Sequence, residues 1–315
     1  MRFSLVVATL GRTQPLGRLL ESLTRQTEPD FEVIVVDQNP PGMIADILGA
    51  YRSRLSIMHA VSPPGVSRAR NLGLRISRGE IIVFPDDDCW YEPDTLRTWG
   101  DAYNALPLVG GIMGRCVGPD GETIHGMTHQ QSGSINRRNV WRRTNGNGLS
   151  FRRRVFQFVP GFDETLGPGA GTPWAACEDA DLPIRVLDAG LSLHYQPEIV
   201  VRHPNPQFES FSSNDARRRA VGYGRGMGRV LRQRAFDART VATALIRPLG
   251  GALLSLICGQ WRRAECYLLS FQGRLQGWWA APPAPPPAVL AIAVEGCAAT
   301  AKAAGADCSV AGARI

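Results

Sequence analysis

Short apolar runs alternate with helix-spaced leucines through the front of the chain, and each run stops at a turn or a polar residue. Leu5–Ala8 is a β-type run that ends in Thr9-Leu10-Gly11-Arg12, a turn. Leu16, Leu19, Leu20 and Leu23 then recur at helical spacing. Phe31–Val36 reads as a second strand with Asp37 behind it, and Ile44–Leu55 as a second helix. Arg68–Ser77 carries Leu72 and Ile76 on one face and closes near Gly79. Ile81–Phe84 is a further strand that runs straight into Pro85-Asp86-Asp87-Asp88. Such alternation predicts an α/β fold, with a mostly parallel central sheet flanked by helices. Ligands in such sheets bind beyond the C-terminal strand ends. Thr9, Asp37 and Asp86–Asp88 all fall there.

Three adjacent carboxylates repel one another unless a cation or solvent relieves them. Mg2+ or Mn2+ takes oxygen ligands and shares phosphate oxygens readily. Alone, the triplet favours a solvated acidic turn; its place behind Ile81–Phe84 shifts the balance toward a metal site. A second acidic group is Glu178-Asp179-Ala180-Asp181 ahead of Pro183. Proline is best tolerated in the first helical turn, so a helix start near Asp181 is expected, with Asp179 at or just before it. A carboxylate there meets the positive end of the helix dipole, is expected to stay ionised, and could take a proton from a hydroxyl. Capping is the expected part for Asp181, and Asp179 is left open between the two. His203 follows Val200-Val201-Arg202; of the five histidines only His125 and His129 stand four apart, and His203 has no such neighbour.

In this order the segments resemble the family 2 glycosyltransferases with a GT-A fold. The resemblance rests on Val6–Arg12, Val33–Asp37, Gly65–Gly73, Phe84–Asp88, Asn147–Arg153, Gly161–Glu164, Leu166–Gly169 and Glu178–Leu182. It covers roughly residues 3–205. It implies an inverting, metal-dependent transfer from a nucleotide diphosphate sugar, with Mn2+ or Mg2+ as cofactor. It further implies that Thr9, Arg12, Asp37, Arg70, Asn71, Asp86 and Asp87 hold the nucleotide sugar. Asp88 and His203 would ligate the metal, Asp179 would be the catalytic base, and Gly169, Trp174 and Glu178 would face the acceptor. Cys177 stands where such sequences often carry glycine. Two other readings share parts of this pattern. A sugar nucleotidyltransferase would need a glycine-rich phosphate loop after the first strand, which Thr9–Arg12 lacks. A non-catalytic membrane-associated scaffold would not need both acidic clusters.

Charge divides the chain. Residues 1–210 hold 21 Arg against 23 Asp and Glu; residues 211–315 hold 13 Arg and one Lys against five acids. That is −2 in front and +9 behind, which points to different partners. Eight arginines lie between 217 and 239, where Gly222, Gly224, Gly226 and Gly228 weaken the case for a continuous helix. Val241–Cys258 is apolar but interrupted by Arg247, Pro248, Gly250 and Gly251. With Trp278-Trp279 behind it, this stretch suits a segment lying on an anionic membrane, near an acceptor glycan or lipid-linked sugar; the other reading is a basic soluble subdomain with a buried helix. The expected division is a catalytic domain at 1–210, a basic and apolar helical extension at 211–281, and a Pro/Ala/Gly-rich tail at 282–315. The extension is expected to be separable from nucleotide-sugar binding. No aromatic RNA-binding signature or zinc knuckle accompanies the arginines, so nucleic acid is not an expected partner. Seven cysteines without a CxxC pair argue against a cysteine-based zinc site. The opening apolar run is too short for a signal peptide, so a cytoplasmic protein is expected, peripheral to the inner membrane if attached.

Overall fold

The computed structural model describes residues 1–122, 131–204 and 213–280. The expected boundary at 210–211 and the tail 282–315 lie outside the described residues. The front half runs β1 Phe3–Thr9, α1 Gln14–Leu23, β2 Phe31–Asp37, α2 Ala45–Tyr51, β3 Ile57–Val61, α3 Val66–Ile76 and β4 Ile81–Phe84. Then come β5 Trp90–Tyr91, α4 Thr95–Ala105, β6 Gly111–Val117, β7 Gly133–Ile135, α5 Val140–Arg143 and β8 Leu149–Arg152. The chain continues with α6 Glu178–Asp188, β9 Leu193–Arg202, α7 Ser213–Gln233, α8 Ala238–Ile257 and α9 Trp261–Ala280.

One sheet runs β3-β2-β1-β4-β8-β6-β9-β5, with β7 also pairing β9. The β3–β2–β1–β4 half is parallel throughout. Beyond β4 the pairing is mixed: β8 is antiparallel to both β4 and β6, while β6 and β9 are parallel. The parallel strands are buried on both faces, so they read as unbroken apolar runs rather than alternating ones. Phe3, Leu5 and Val7 pack with α1, α2 and α4 on one face. Val6, Ile34, Ile82 and Phe84 pack on the other with residues of α3, α6 and α7. β3 was not anticipated, because Ile57–Val61 is an edge strand with no fully buried residue and hence no clear apolar pattern.

Three sequence expectations are corrected here. α6 begins at Glu178, so Pro183 lies inside the helix rather than in its first turn. Proline has no N–H to return to the Asp179 carbonyl, yet the flanking turns hold the helix together. The glycines at 222–228 do not break α7, which runs unbroken to Gln233. They instead let it touch α9: a Cβ on Gly224 would stand 2.4 Å from the Ser270 carbonyl oxygen, and one on Gly228 2.1 Å from that of Arg274. Helix propensity loses to this backbone contact. α8 likewise passes through Pro248 without a break. The back helices also join the main core, since Val230, Leu231, Phe236, Val241 and Ala244 belong to the cluster on the α6 face.

Candidate active site

The site forms where neighbouring strands end. β1, β2 and β4 are parallel neighbours, so Thr9, Asp37 and the Asp86–Asp88 turn leave the sheet at the same end. Ala8 makes an isolated bridge to Asp86, which starts the acidic turn beside β1. β9 ends at Arg202 and delivers His203, whose backbone N–H donates to the Val117 carbonyl at 2.9 Å. The ligand atoms of Asp86, Asp88 and His203 lie within 4.8 Å of one another. Two carboxylate oxygens and an imidazole nitrogen are a donor set that suits Mn2+ and, less well, Mg2+. The residues therefore fit a divalent cation.

α6 approaches this cluster from the other side. A Cβ placed on Gly146 would lie 3.6 Å from Asp86 Oδ2 and 3.7 Å from Asp179 Oδ2, so the two carboxylates border one small space. Arg70, only 1% exposed, ties the two acidic groups together. Its Nη2 donates to Asp86 Oδ1 at 2.6 Å and its Nη1 to Glu178 Oε1 at 3.4 Å. Cys177 precedes α6 at φ 74°, a left-handed conformation that favours glycine, which is the physical reason for glycine at such a position.

Electrostatics differ along the acidic turn. Burial pushes the Asp87 carboxyl up to about 6, against the pull of Arg12 and Thr9. Burial opposes charge on Asp88 too, but the His203 hydrogen bond and charge, with Arg12, hold it below the usual range. His203 Nε2 stands 3.1 Å from Asp88 Oδ1, and despite burial that pairing raises its basicity. Arg12 Nη1 lies 2.8 Å from Asp87 Oδ1 and 2.6 Å from Asp88 Oδ2. Around α6, burial and the Asp179 charge push Glu178 up to about 7. Burial and the Asp86 charge raise Asp179, with Arg70 opposing. At Asp179 burial therefore outweighs the helix dipole, contrary to the expectation of a readily ionised group.

Thr9, Arg12, Asp86, Asp87, Asp88 and His203 thus converge, with Glu178 and Asp179 across Gly146. Asp37 stands at the next strand end, accepting from Asn39 Nδ2 at 2.8 Å and facing His59 Nε2 at 3.1 Å. Asn71 is engaged elsewhere. Its Nδ2 donates to the Phe162 carbonyl at 2.9 Å and to Glu164 Oε1 at 3.0 Å, and its Oδ1 accepts from the Phe162 N–H at 2.7 Å. It anchors the 161–177 loop rather than facing the acidic turn. Gly169 packs its backbone on Gly65, and Trp174 lies under the Arg229 guanidinium, 5.1 Å from the ring centre. Asp181 is no cap: fully buried, it accepts from Arg185 Nε at 2.8 Å and from Arg234 Nε at 2.7 Å.

Sequence reasoning missed Gly146, His59, Arg18 and Tyr223. Gly146 sits in Asn145-Gly146-Asn147-Gly148, a turn signal that could have marked it. Arg18 of α1 donates to the Asp88 carbonyl at 2.8 Å. Tyr223 is half-exposed on α7; burial raises its phenol, with Arg219 opposing and Glu178, Asp179 and Asp86 reinforcing. No local signal announces a residue brought to a site by helix packing.

Known proteins share this fold and part of this sequence. Residues 4–159 match the pattern described as "Glycosyl transferase family 2". Glycosyltransferase EpsH of Bacillus subtilis is 36% identical over 105 residues, 31% of this chain and 30% of that protein. The chain thus matches less than a third of that relative's length. The fold is similar to Staphylococcus aureus TarS 1–349 in complex with UDP-GlcNAc, at TM-score 0.58 and 16% identity, covering 88% of this chain and 92% of that one. It is equally similar to mannosyltransferase PcManGT from Pyrobaculum calidifontis in complex with GDP-Man and Mn2+, at TM-score 0.58 and 18% identity, covering 88% and 87%. By the match over residues 4–159, about half of its length, the chain belongs to glycosyl transferase family 2.

Proposed function

We propose that this chain transfers a sugar from a nucleotide diphosphate donor to an acceptor hydroxyl, with inversion at the anomeric carbon. One observation carries the reading: Asp179 and the Asp86–Asp88–His203 cluster border the same space across Gly146. The donor lies across the strand ends, with Thr9, Arg12 and Asp37 on the nucleoside side. When bound by Asp86, Asp88 and His203, a divalent cation supplies positive charge to the leaving diphosphate. Asp179 takes the acceptor proton, and a raised carboxyl is the better base for it. The deprotonated oxygen attacks C1 from the face opposite the breaking bond, which inverts the centre. Arg70 fixes Asp86 against Glu178, so the two halves of the site keep their spacing. The similar structures that hold UDP-GlcNAc or GDP-Man support a nucleotide-sugar donor.

The same reading keeps the protein at the cytoplasmic face of a membrane, for use in cell-surface polysaccharide or glycolipid synthesis. α8 is 20 residues long, and an 18-residue stretch of it has mean hydropathy 1.6 with only 28% of that stretch buried. Ile246, Leu253, Leu254 and Ile257 stand more than half exposed on it, and Arg262 and Arg263 follow. Apolar side chains beside arginines suit an anionic lipid interface.

Thermal shift with UDP-, GDP- and dTDP-sugars, with Mn2+ and with chelator, tests the donor reading. One nucleotide sugar at a hundred times its Kd stabilises by about 2.7 kcal/mol, and only with metal. Release of nucleoside diphosphate on adding acceptor completes the test. Pyrophosphate release from a nucleoside triphosphate and a sugar phosphate would make the chain a nucleotidyltransferase. Binding of none of these donors would leave the scaffold reading.

A further inference from the structure

Two clefts of about 560 and 450 Å3 share Pro173 and Arg225 and form one groove along α7, and no residue of the acidic turn lines either. One wall is the loop segment Thr172–Trp174, which leads directly into α6. The opposite wall differs along its length. Arg225, Gln276 and Trp279 line one end, and Arg217, Arg218 and Val221 the other. Among the described residues no carboxylate lines either cleft. Of the groove's three arginines only Arg217 pairs with a carboxylate among the described residues, Glu265, and it does so through Nη2. Such a groove attracts an anion, and guanidinium forks match phosphate oxygens.

The direction of the groove is set by helix contacts. At the Arg225 end, a Cβ on Gly226 would stand 2.4 Å from the Ala176 carbonyl oxygen, so this end abuts the chain just ahead of Asp179. At the other end, Arg217 Nη2 pairs with Glu265 Oε1 at 2.8 Å, in the second turn of α9. The tip of the α8–α9 hairpin lies on that side, with Leu254, Ile257 and Trp261 between 63% and 75% exposed. Aromatic rings therefore flank the end near the carboxylates, arginines stand in the middle, and an apolar tip lies beyond.

We propose that this groove seats a lipid-linked acceptor through its phosphates, with Arg217, Arg218 and Arg225 on the phosphate oxygens. The acceptor sugar rests on Trp174 and Trp279, toward Asp179. The lipid chain leaves past Arg217 toward the hairpin tip. The proposal rests on the transferase reading for its purpose, but its binding test does not need catalysis.

The full chain is titrated calorimetrically with farnesyl diphosphate, farnesol and inorganic pyrophosphate, all in chelator so that the acidic turn cannot hold a diphosphate through a metal. Farnesyl diphosphate is expected to bind, with pyrophosphate and farnesol each at least about tenfold weaker. Arg218→Glu, on an exposed face of α7, is expected to weaken farnesyl diphosphate at least about tenfold, the worth of one charge-assisted hydrogen bond. Arg218→Lys is expected to restore part of the loss. Mn2+-dependent nucleotide binding by Arg218→Glu stays at the wild-type level. Farnesol binding as tightly as farnesyl diphosphate overturns the arginine assignment, and pyrophosphate binding as tightly overturns the lipid assignment. Unchanged binding by Arg218→Glu overturns the groove itself. Farnesyl diphosphate binding by a protein that transfers no sugar would sink the transferase reading and leave the groove standing.

Discussion

As the proposed base, Asp179 owes its fitness to its surroundings rather than to its residue type. It sits in the first turn of α6, where the helix dipole favours the anion, yet burial and Asp86 raise it. A raised carboxyl is protonated, and inert as a base, to a higher pH than an exposed one. Transfer is therefore expected to fall as pH drops through a midpoint above the ordinary carboxylate range, and to be full above it. Asp179→Asn keeps the shape and removes the proton acceptor. It is expected to leave nucleotide-sugar binding intact and to slow transfer by about 10²–10⁴. Normal transfer by the variant would remove Asp179 from the role, and a pH–rate profile without an acid limb would remove the raised carboxyl from it. Across the site, His203 pairs with Asp88 at 3.1 Å and both belong to the candidate metal cluster. His203→Ala should shift the Mn2+ titration of donor binding to higher concentration, while Asp88→Ala abolishes its metal dependence. Superimposable Mn2+ titrations for wild type and His203→Ala would return that histidine to a structural part.

At the scale of elements, α7 and α9 approach so closely that glycine is required on both. A Cβ on Gly273 would stand 2.4 Å from the Val221 carbonyl oxygen, and one on Gly277 2.1 Å from that of Arg225. Gly228→Leu must push backbones apart, and a loss of about 1–3 kcal/mol in urea unfolding is expected. Gly250 on α8 meets nothing within 4 Å, so Gly250→Ala is expected to stabilise by up to about 1 kcal/mol through helix propensity alone. Equal effects at the two positions would contradict the packing argument. The exposed apolar face of α8 makes a separate forecast. Full-length protein is expected to float with anionic liposomes at low salt and less well at high salt. Leu254→Glu with Ile257→Glu, both on exposed positions, is expected to release it without altering nucleotide binding. Flotation that ignores the double substitution would turn α8 into an ordinary surface helix.

Over the whole molecule, the back helices are part of the catalytic core and not an appendage to it. Arg234, just past α7, reaches the fully buried Asp181 of the catalytic helix at 2.7 Å. Val230 and Leu231 are completely buried against the same core. Removing everything after 210 therefore exposes apolar surface and leaves Asp181 with Arg185 alone, so the shortened chain is expected to fold poorly. This replaces the expectation that nucleotide-sugar binding survives the truncation. Arg234→Met tests the link without deleting anything. Breaking one arm of a buried ion pair is expected to cost about 3 kcal/mol, measured by chemical unfolding. A loss near zero would show that the helices rest on the core without supporting it.

The sequence by itself determined the parallel half of the sheet, because strands buried on both faces must be continuous apolar runs and their crossover helices must carry apolar stripes. It also placed Thr9, Asp37 and Asp86–Asp88 at strand ends, since that follows from run boundaries alone. Those signals are local, lying within a few residues of the element they describe. The mixed half of the sheet, the start of α6 and the continuity of α7 were decided by tertiary structure. In each case a local rule lost to a contact far along the chain: Pro183 inside a helix held by its packing, and glycines whose helix cost is outweighed by backbone contact with α9. The convergence of Asp179 with Asp86, the raised carboxyls, the part of Asn71 as a loop anchor and the arrival of Tyr223 share that cause. They depend on distances between segments distant in sequence, and on burial, which no single segment contains.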